Sequence, residues 1–144
     1  MTLDIKRFDE LTLDELYSIL RLRAEVFVIE QDCPYQDVDG GDMTSMHVLA
    51  KEGGEVLAYL RVYQWEDGNA AVGRVVTSRK VRGTGAGRLI MEEGVRLAHE
   101  LYPGRPVVIH AQAYAVGFYE KFGFRVSSGE FLEDGIPHHE MTLK

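Results

Sequence analysis

The residues best suited to chemistry stand together at Arg82-Gly83-Thr84-Gly85-Ala86-Gly87-Arg88. Glycines let a backbone approach a ligand closely, and the first N–H groups of a helix, at the positive end of its dipole, form a ready anion site. Arg82 and Arg88 add full positive charges, so phosphate is the natural guest. A nucleoside triphosphate loop would need G-x-x-x-x-G-K-[ST], and no Gly-Lys pair occurs in the chain. A dinucleotide fingerprint G-x-G-x-x-G fails as well, because Gly83-x-Gly85 is followed by Arg88 and Gly85-x-Gly87 by Ile90. What remains is R-x-x-G-x-G.

The charge distribution supports an anion site. With 16 Lys and Arg against 23 Asp and Glu the net charge is −7, which argues against nucleic acid as the main partner. Residues 68–91 nevertheless hold no acid and five cations, Arg74, Arg79, Lys80, Arg82 and Arg88. A basic island in an acidic chain suits a small polyanion, while the acidic remainder would attract a cationic second ligand. Four of the acids, Asp32, Asp37, Asp39 and Asp42, crowd a loop-like segment. They do not make an EF-hand, whose twelfth position would fall on Val48, so the segment reads either as a solvated loop or as a negative lip. His138 and His139 alternate faces on a strand and do not converge on a metal; no metal site is expected.

The elements that must position these residues follow from periodicity. Thr12 and Glu15 have capping-box spacing, and Leu13, Leu16, Leu20, Ala24 and Phe27 then predict one apolar helix face running to about Ile29. Strands are expected at 47–50 and 56–63, joined by Glu52-Gly53-Gly54-Glu55, and at 71–77. After the glycine loop a helix is predicted over 88–101, with Ile90, Gly94, Leu97 and Leu101 on one face. A doubly buried strand at 106–111, a short helix at 114–121 and strands at 124–131 and 138–143 complete the order. This predicts an α+β domain with a mixed sheet and helices on both faces. At 144 residues, without linker or repeat, the chain reads as one domain, 1–144. A single cysteine, Cys33, and an N-terminus without a basic-then-apolar layout lead to the expectation of a cytoplasmic protein without membrane attachment.

Two motifs in order carry a resemblance. Arg82-x-x-Gly85-x-Gly87 resembles the [QR]-x-x-G-x-[GA] pyrophosphate loop of the GNAT N-acetyltransferase superfamily. Gln112-Ala113-Tyr114-Ala115-Val116-Gly117-Phe118-Tyr119-Glu120-Lys121-Phe122-Gly123-Phe124 resembles that superfamily's N-x-x-A-x-x-[FL]-Y-E-K-x-G-F segment, with Gln112 in place of the usual Asn. The segments Glu30-Gln31-Asp32-Cys33-Pro34-Tyr35-Gln36-Asp37-Val38-Asp39-Gly40 and Glu133-Asp134-Gly135-Ile136-Pro137-His138 are similar to the ElaA-like branch. The resemblance implies a GNAT fold with a mostly antiparallel sheet and an acetyl-CoA-dependent N-acetyltransferase, acting on an unidentified primary amine by direct attack in a ternary complex. A homodimer is common in such families.

By the same resemblance, backbone at Val75, Val76 and Thr77 would hold the pantetheine arm, and Arg82, Gly83, Thr84, Gly85, Ala86, Gly87 and Arg88 the pyrophosphate. Gln112 and Tyr119 would complete the cofactor site, and Tyr119 would protonate the leaving thiolate. A lysine-like amine of pKa about 10.4 needs about 4.6 kcal/mol to become neutral at pH 7, so a base is expected. The family's glutamate on the strand before the loop is missing from Gly73-Arg74-Val75-Val76-Thr77. Glu30, His47, His110 and His138 are candidates, and the branch-like segments favour Glu30 and His138, whereas His110 also suits a hydrogen-bonded core position. A non-catalytic acyl-CoA-binding module with the same fold is the alternative, and an anion-binding domain unrelated to CoA a more distant one.

Overall fold

Apolar runs too long for one-sided burial define the centre of the sheet. In the computed structural model, which describes residues 1–144, seven successive residues of β3 (Glu55–Gln64) are buried, so both of its faces must be covered. Its neighbours are β2 (Met46–Glu52) and β4 (Ala70–Thr77), both antiparallel to it. Beyond them come β1 (Thr2–Arg7) at one edge and β5 (Val107–Gln112), β8 (Ile136–Leu143) and β6 (Arg125–Val126) at the other, with β7 (Phe131–Glu133) also on β8. Only β4 and β5 run parallel. The α+β class and the mixed, mostly antiparallel sheet are as expected.

α1 (Leu13–Arg23), prolonged by a π-wound stretch Ala24–Glu30, covers one face over Leu49, Val56, Tyr59 and Val76. α2 (Ala86–Leu101) covers the other, where Ile90, Met91 and Leu97 pack on Leu60, Val107 and Met141. The expected Thr12 cap forms, its hydroxyl accepting from the Glu15 amide at 3.0 Å. Gly94, an unfavourable residue for a helix interior, is where α2 meets β3: a Cβ there would lie 2.6 Å from Leu60 Cδ2. No helix is long and apolar enough to cross a membrane.

Three expectations need correction. The buried face of α1 is Glu15, Ile19, Leu22 and Arg23, with Val26 in its extension, whereas Leu13 is 86% exposed and Ala24 is exposed too. The apolar pattern misleads because two of the inward positions are charged. Thr2–Arg7, read above only for a leader, is the edge strand paired with β2. The single strand expected at 124–131 is two, β6 and β7. Between the pairs Val126–Met141 and Phe131–His138 the outer chain has more residues than β8 can match, and it bulges through Ser127, Ser128 and Gly129.

Candidate active site

A cleft opens where the one parallel pair fails. β4 and β5 are in register only at Ala70–Val107 and Ala71–Val108. Past these they part around a cavity of about 760 Å³, walled by Val75, Val76 and Thr77 on one side and Ile109, His110 and Gln112 on the other, with Tyr119 also lining it. Beyond Ala71 the β4 backbone thus faces the cavity in place of a strand.

β4 is bent at this point. Register shifts between Tyr59 and Arg61, so that Arg74 and Val75 together face Leu60, and Arg74 adopts φ +54°. A left-handed conformation in a residue other than glycine costs on the order of 1–3 kcal/mol and persists only where the surroundings over-determine it. Here the aspartate segment does so. Arg74 Nε lies 2.8 Å from Asp37 Oδ1, its Nη2 donates to the Asp37 carbonyl at 3.0 Å, and its guanidinium lies over the Tyr35 ring. Asp37 also accepts from Arg23 Nε at 2.9 Å, and Asp42 accepts from Arg23 at 2.7 Å and Arg61 at 2.9 Å. Arg61 also reaches Asp39 at 3.0 Å. The Arg23 side chain is 0% exposed. Apart from the exposed Asp32, the segment is therefore neither a solvated loop nor a free negative lip: three arginines bind Asp37, Asp39 and Asp42 and brace the bulge.

His47 belongs to the same network. Its Nε2 lies 2.8 Å from the Asp42 carbonyl, which can only accept, so Nδ1 accepts the hydrogen bond that the Tyr59 hydroxyl donates at 2.6 Å. Burial pushes its pKa down, and both ring nitrogens are engaged, which leaves none for a substrate.

At the loop, α2 begins at Ala86, two residues before the expected start, and Gly85 caps it at φ +89°. Gly83 stands at φ +80°, and a Cβ on either glycine would meet nothing within 4 Å, so the space above the helix N-terminus is open. The Thr84 hydroxyl donates to the Val81 carbonyl, Ala86 is buried, and Gly87 packs beside Phe118 and Thr77. The Arg88 side chain is 77% exposed and turned along the helix to Glu92, at 2.8 Å. Arg82 donates to the Thr77 carbonyl at 3.2 Å and forms a two-pronged pair with Glu30, which Arg79 also reaches.

Glu30 and Arg82, assigned to different jobs by sequence, thus hold each other. The Arg82 hydrogen bond, against a weaker opposing effect of burial, keeps the Glu30 carboxyl below its ordinary range. While Arg82 holds it, this carboxylate is a poor proton acceptor at neutral pH. Gln112 faces Gln31 across the cavity through paired amide contacts of 3.2 Å. Burial pushes the Tyr119 phenol well above its usual value, so the hydroxyl keeps its proton.

The far wall holds a cluster that sequence reasoning did not assemble. Pairing of β5 with β8 sets Gln112 opposite His138 and His110 opposite Glu140, and β7 brings Phe131 opposite His138. On this face His110 Nδ1 lies 3.0 Å from Glu133 Oε1, and His138 Nε2 lies 3.6 Å from Glu133 Oε2. The His138 Nδ1–H donates to the Ile136 carbonyl at 2.7 Å, and its side chain is only 8% exposed, which does not suit the expected role of base. Glu133 had appeared only as part of a motif. The one sequence signal for it was an acid five residues before His138, on the other arm of the turn.

Comparison with known proteins agrees with this geometry. Residues 13–144 match the family model described as an acetyltransferase (GNAT) domain. The chain is 40% identical to protein ElaA of Escherichia coli K12 over 137 residues, covering 92% of this chain and 90% of that protein. The crystal structure of E. coli ElaA superposes with a TM-score of 0.94 at 36% identity over 100% of both chains. An acyl-CoA N-acyltransferase from Pseudomonas aeruginosa gives 0.92 at 41% identity over 99% of each. An aminoglycoside 6'-N-acetyltransferase complexed with coenzyme A, 13% identical, shares the fold with a TM-score of 0.74 over 97% of this chain and 96% of that one. The chain, with its glycine-capped helix N-terminus open to the surroundings beside a sheet that parts at a half-buried tyrosine, is thus a member of the GNAT acetyltransferases, in the branch that contains ElaA.

Proposed function

We propose that the protein transfers an acetyl group from acetyl-CoA to a primary amine by direct attack within a ternary complex. The observation that carries this reading is the single cavity joining the bulged β4 edge to Tyr119, continued by Arg82 toward the open N-terminus of α2. The residues fit the donor. The α2 N-terminus and Arg82 would take the pyrophosphate, with Gly83, Thr84, Gly85, Ala86 and Gly87 offering backbone and Arg88 the outer charge. Backbone at Val75, Val76 and Thr77 would pair with the pantetheine arm, and Gln112 would border it. The donor supplies an activated acyl group; the protein supplies orientation.

The bulge at Arg74 turns the β4 backbone into the cavity, so that an N–H at Val76 or Thr77 would polarise the thioester carbonyl as charge develops on its oxygen. Tyr119, which lines the cavity, would give its proton to the departing thiolate as charge develops on the sulfur. Arg82 would exchange Glu30 for phosphate, which makes Glu30 a partner of the cofactor loop.

The test is thiol release from acetyl-CoA with a panel of primary amines, with product acetylation followed by mass. The expected result is amine-dependent release of one thiol per acetyl transferred. Tight acetyl-CoA binding without turnover on any amine would instead support the binding-module reading.

A further inference from the structure

We propose that the His110–Glu133 pair is the proton acceptor for the attacking amine, with His110 Nε2 as the catalytic atom and Glu133 and His138 as positioning residues; this rests on the acetyl-transfer reading above. The geometry dictates the tautomer. An ionised carboxylate offers only acceptors, so the 3.0 Å contact requires a proton on His110 Nδ1 and leaves the lone pair on Nε2. The ring sits between Trp65, 5.3 Å away and tilted by 30°, and Phe131, 5.3 Å away and edge-on. Its side chain keeps 28% exposure on the cavity wall, whereas His47 and His138 are buried.

The two carboxylates that face His110, Glu133 and Glu140, both favour its protonated form, and burial opposes them. Glu133 touches it from β7, and Glu140 lies opposite on β8. His138 lies beyond Glu133, with Arg74 of β4 and Tyr63 of β3 also on that side. The Glu133 hydrogen bond outweighs burial and holds the His110 pKa above the ordinary histidine value. His110 is thus a stronger base than a free imidazole, and Glu133 is held below the usual carboxylate range mainly by that same bond.

In the step, the acceptor ammonium gives one proton to His110 Nε2, and the freed lone pair forms the N–C bond to the acetyl carbon. The C–S bond breaks, and the thiolate takes the Tyr119 proton. The amide nitrogen then loses its surplus proton to water, and the proton on His110 passes through solvent to restore Tyr119. Charge and atoms balance without a further reactant. The acidic wall at Glu133 would also favour an acceptor that arrives as a cation over one bearing a carboxylate at the same place.

The experiment is the pH dependence of kcat/KM for the best amine in the screen, in the native protein, His110→Gln and Glu133→Gln, with acetyl-CoA affinity and melting temperature measured for each. His110→Gln should lower kcat/KM roughly 100-fold and flatten the acid limb, with acetyl-CoA affinity unchanged. Glu133→Gln removes the group that raises the His110 pKa, so its acid limb should move to lower pH while activity persists at high pH. If both variants fold, bind acetyl-CoA and keep the native acid limb, the inference is wrong and the acetyl-transfer reading survives. If the native protein binds acetyl-CoA but turns over no amine, the reading itself falls and the inference with it.

Discussion

The two ends of the cavity are made of different material. At the end proposed for phosphate the groups on offer are backbone N–H groups of one continuous stretch, aimed by the left-handed Gly83 and Gly85 and by the start of α2. At the end proposed for the acceptor they are side chains from separate elements, His110 of β5, Glu133 of β7 and His138 of β8, brought together only by sheet register. Between them lies the Arg74 bulge, which neither end holds; an ion network of Arg23, Arg61, Asp37, Asp39 and Asp42 holds it from behind. The difference teaches where each part is vulnerable. A backbone site tolerates loss of most side chains but not a change of φ, whereas a side-chain site fails one residue at a time.

The largest effect should come from the brace. Asp42→Asn removes the charge between two buried guanidiniums, and breaking such a pair costs about 3–5 kcal/mol, seen as a melting temperature lower by roughly 10 °C. An unchanged melt would mean that the bulge is held otherwise. Next, Tyr119→Phe should lower kcat about 100-fold while acetyl-CoA affinity stays the same; equal loss in both would reduce Tyr119 to packing.

Acid should then loosen the fold. Burial alone would raise the Glu15 pKa, but hydrogen bonds from Lys51, Lys6 and the Thr12 amide outweigh it and bring it from 4.5 to about 2. A lowered folded-state pKa stabilises above the unfolded value, so stability should fall as pH drops from 4.5 toward 2, and Glu15→Gln should flatten that fall in denaturant titrations. The smallest effect belongs to Arg88→Ala. Its exposed side chain already serves Glu92, so acetyl-CoA affinity should weaken by no more than about 5-fold. A larger loss would show that side chains matter at the phosphate end too.

This difference also explains what the sequence reveals. The glycine loop is legible because its pattern is local: R-x-x-G-x-G names both the turn and the helix that follows. The acceptor wall is not, because Glu133 meets His110 only through the pairing of β7 and β5 with β8, and the bulging Ser127-Ser128-Gly129 stretch that sets the position of β7 has no apolar period. The aspartate segment misleads for a related reason. Asp37 and Asp42 look like surface charge, and their partners Arg23 and Arg61 sit at positions an apolar pattern would assign to helix surface and strand core. Glu30 illustrates the limit of reasoning from motif position, since its distance in sequence from Arg82 hides that the two are paired.

The central claim, that this cavity and the α2 N-terminus together bind acetyl-CoA, is tested most directly by calorimetric titration of acetyl-CoA into the intact protein and into Gly85→Asp. The aspartate would force a side chain to φ +89° and set a carboxylate against the pyrophosphate. Micromolar binding to the intact protein, weakened roughly 100-fold or more in the variant, is the expected result; no binding to the intact protein, or equal binding to both, would contradict it.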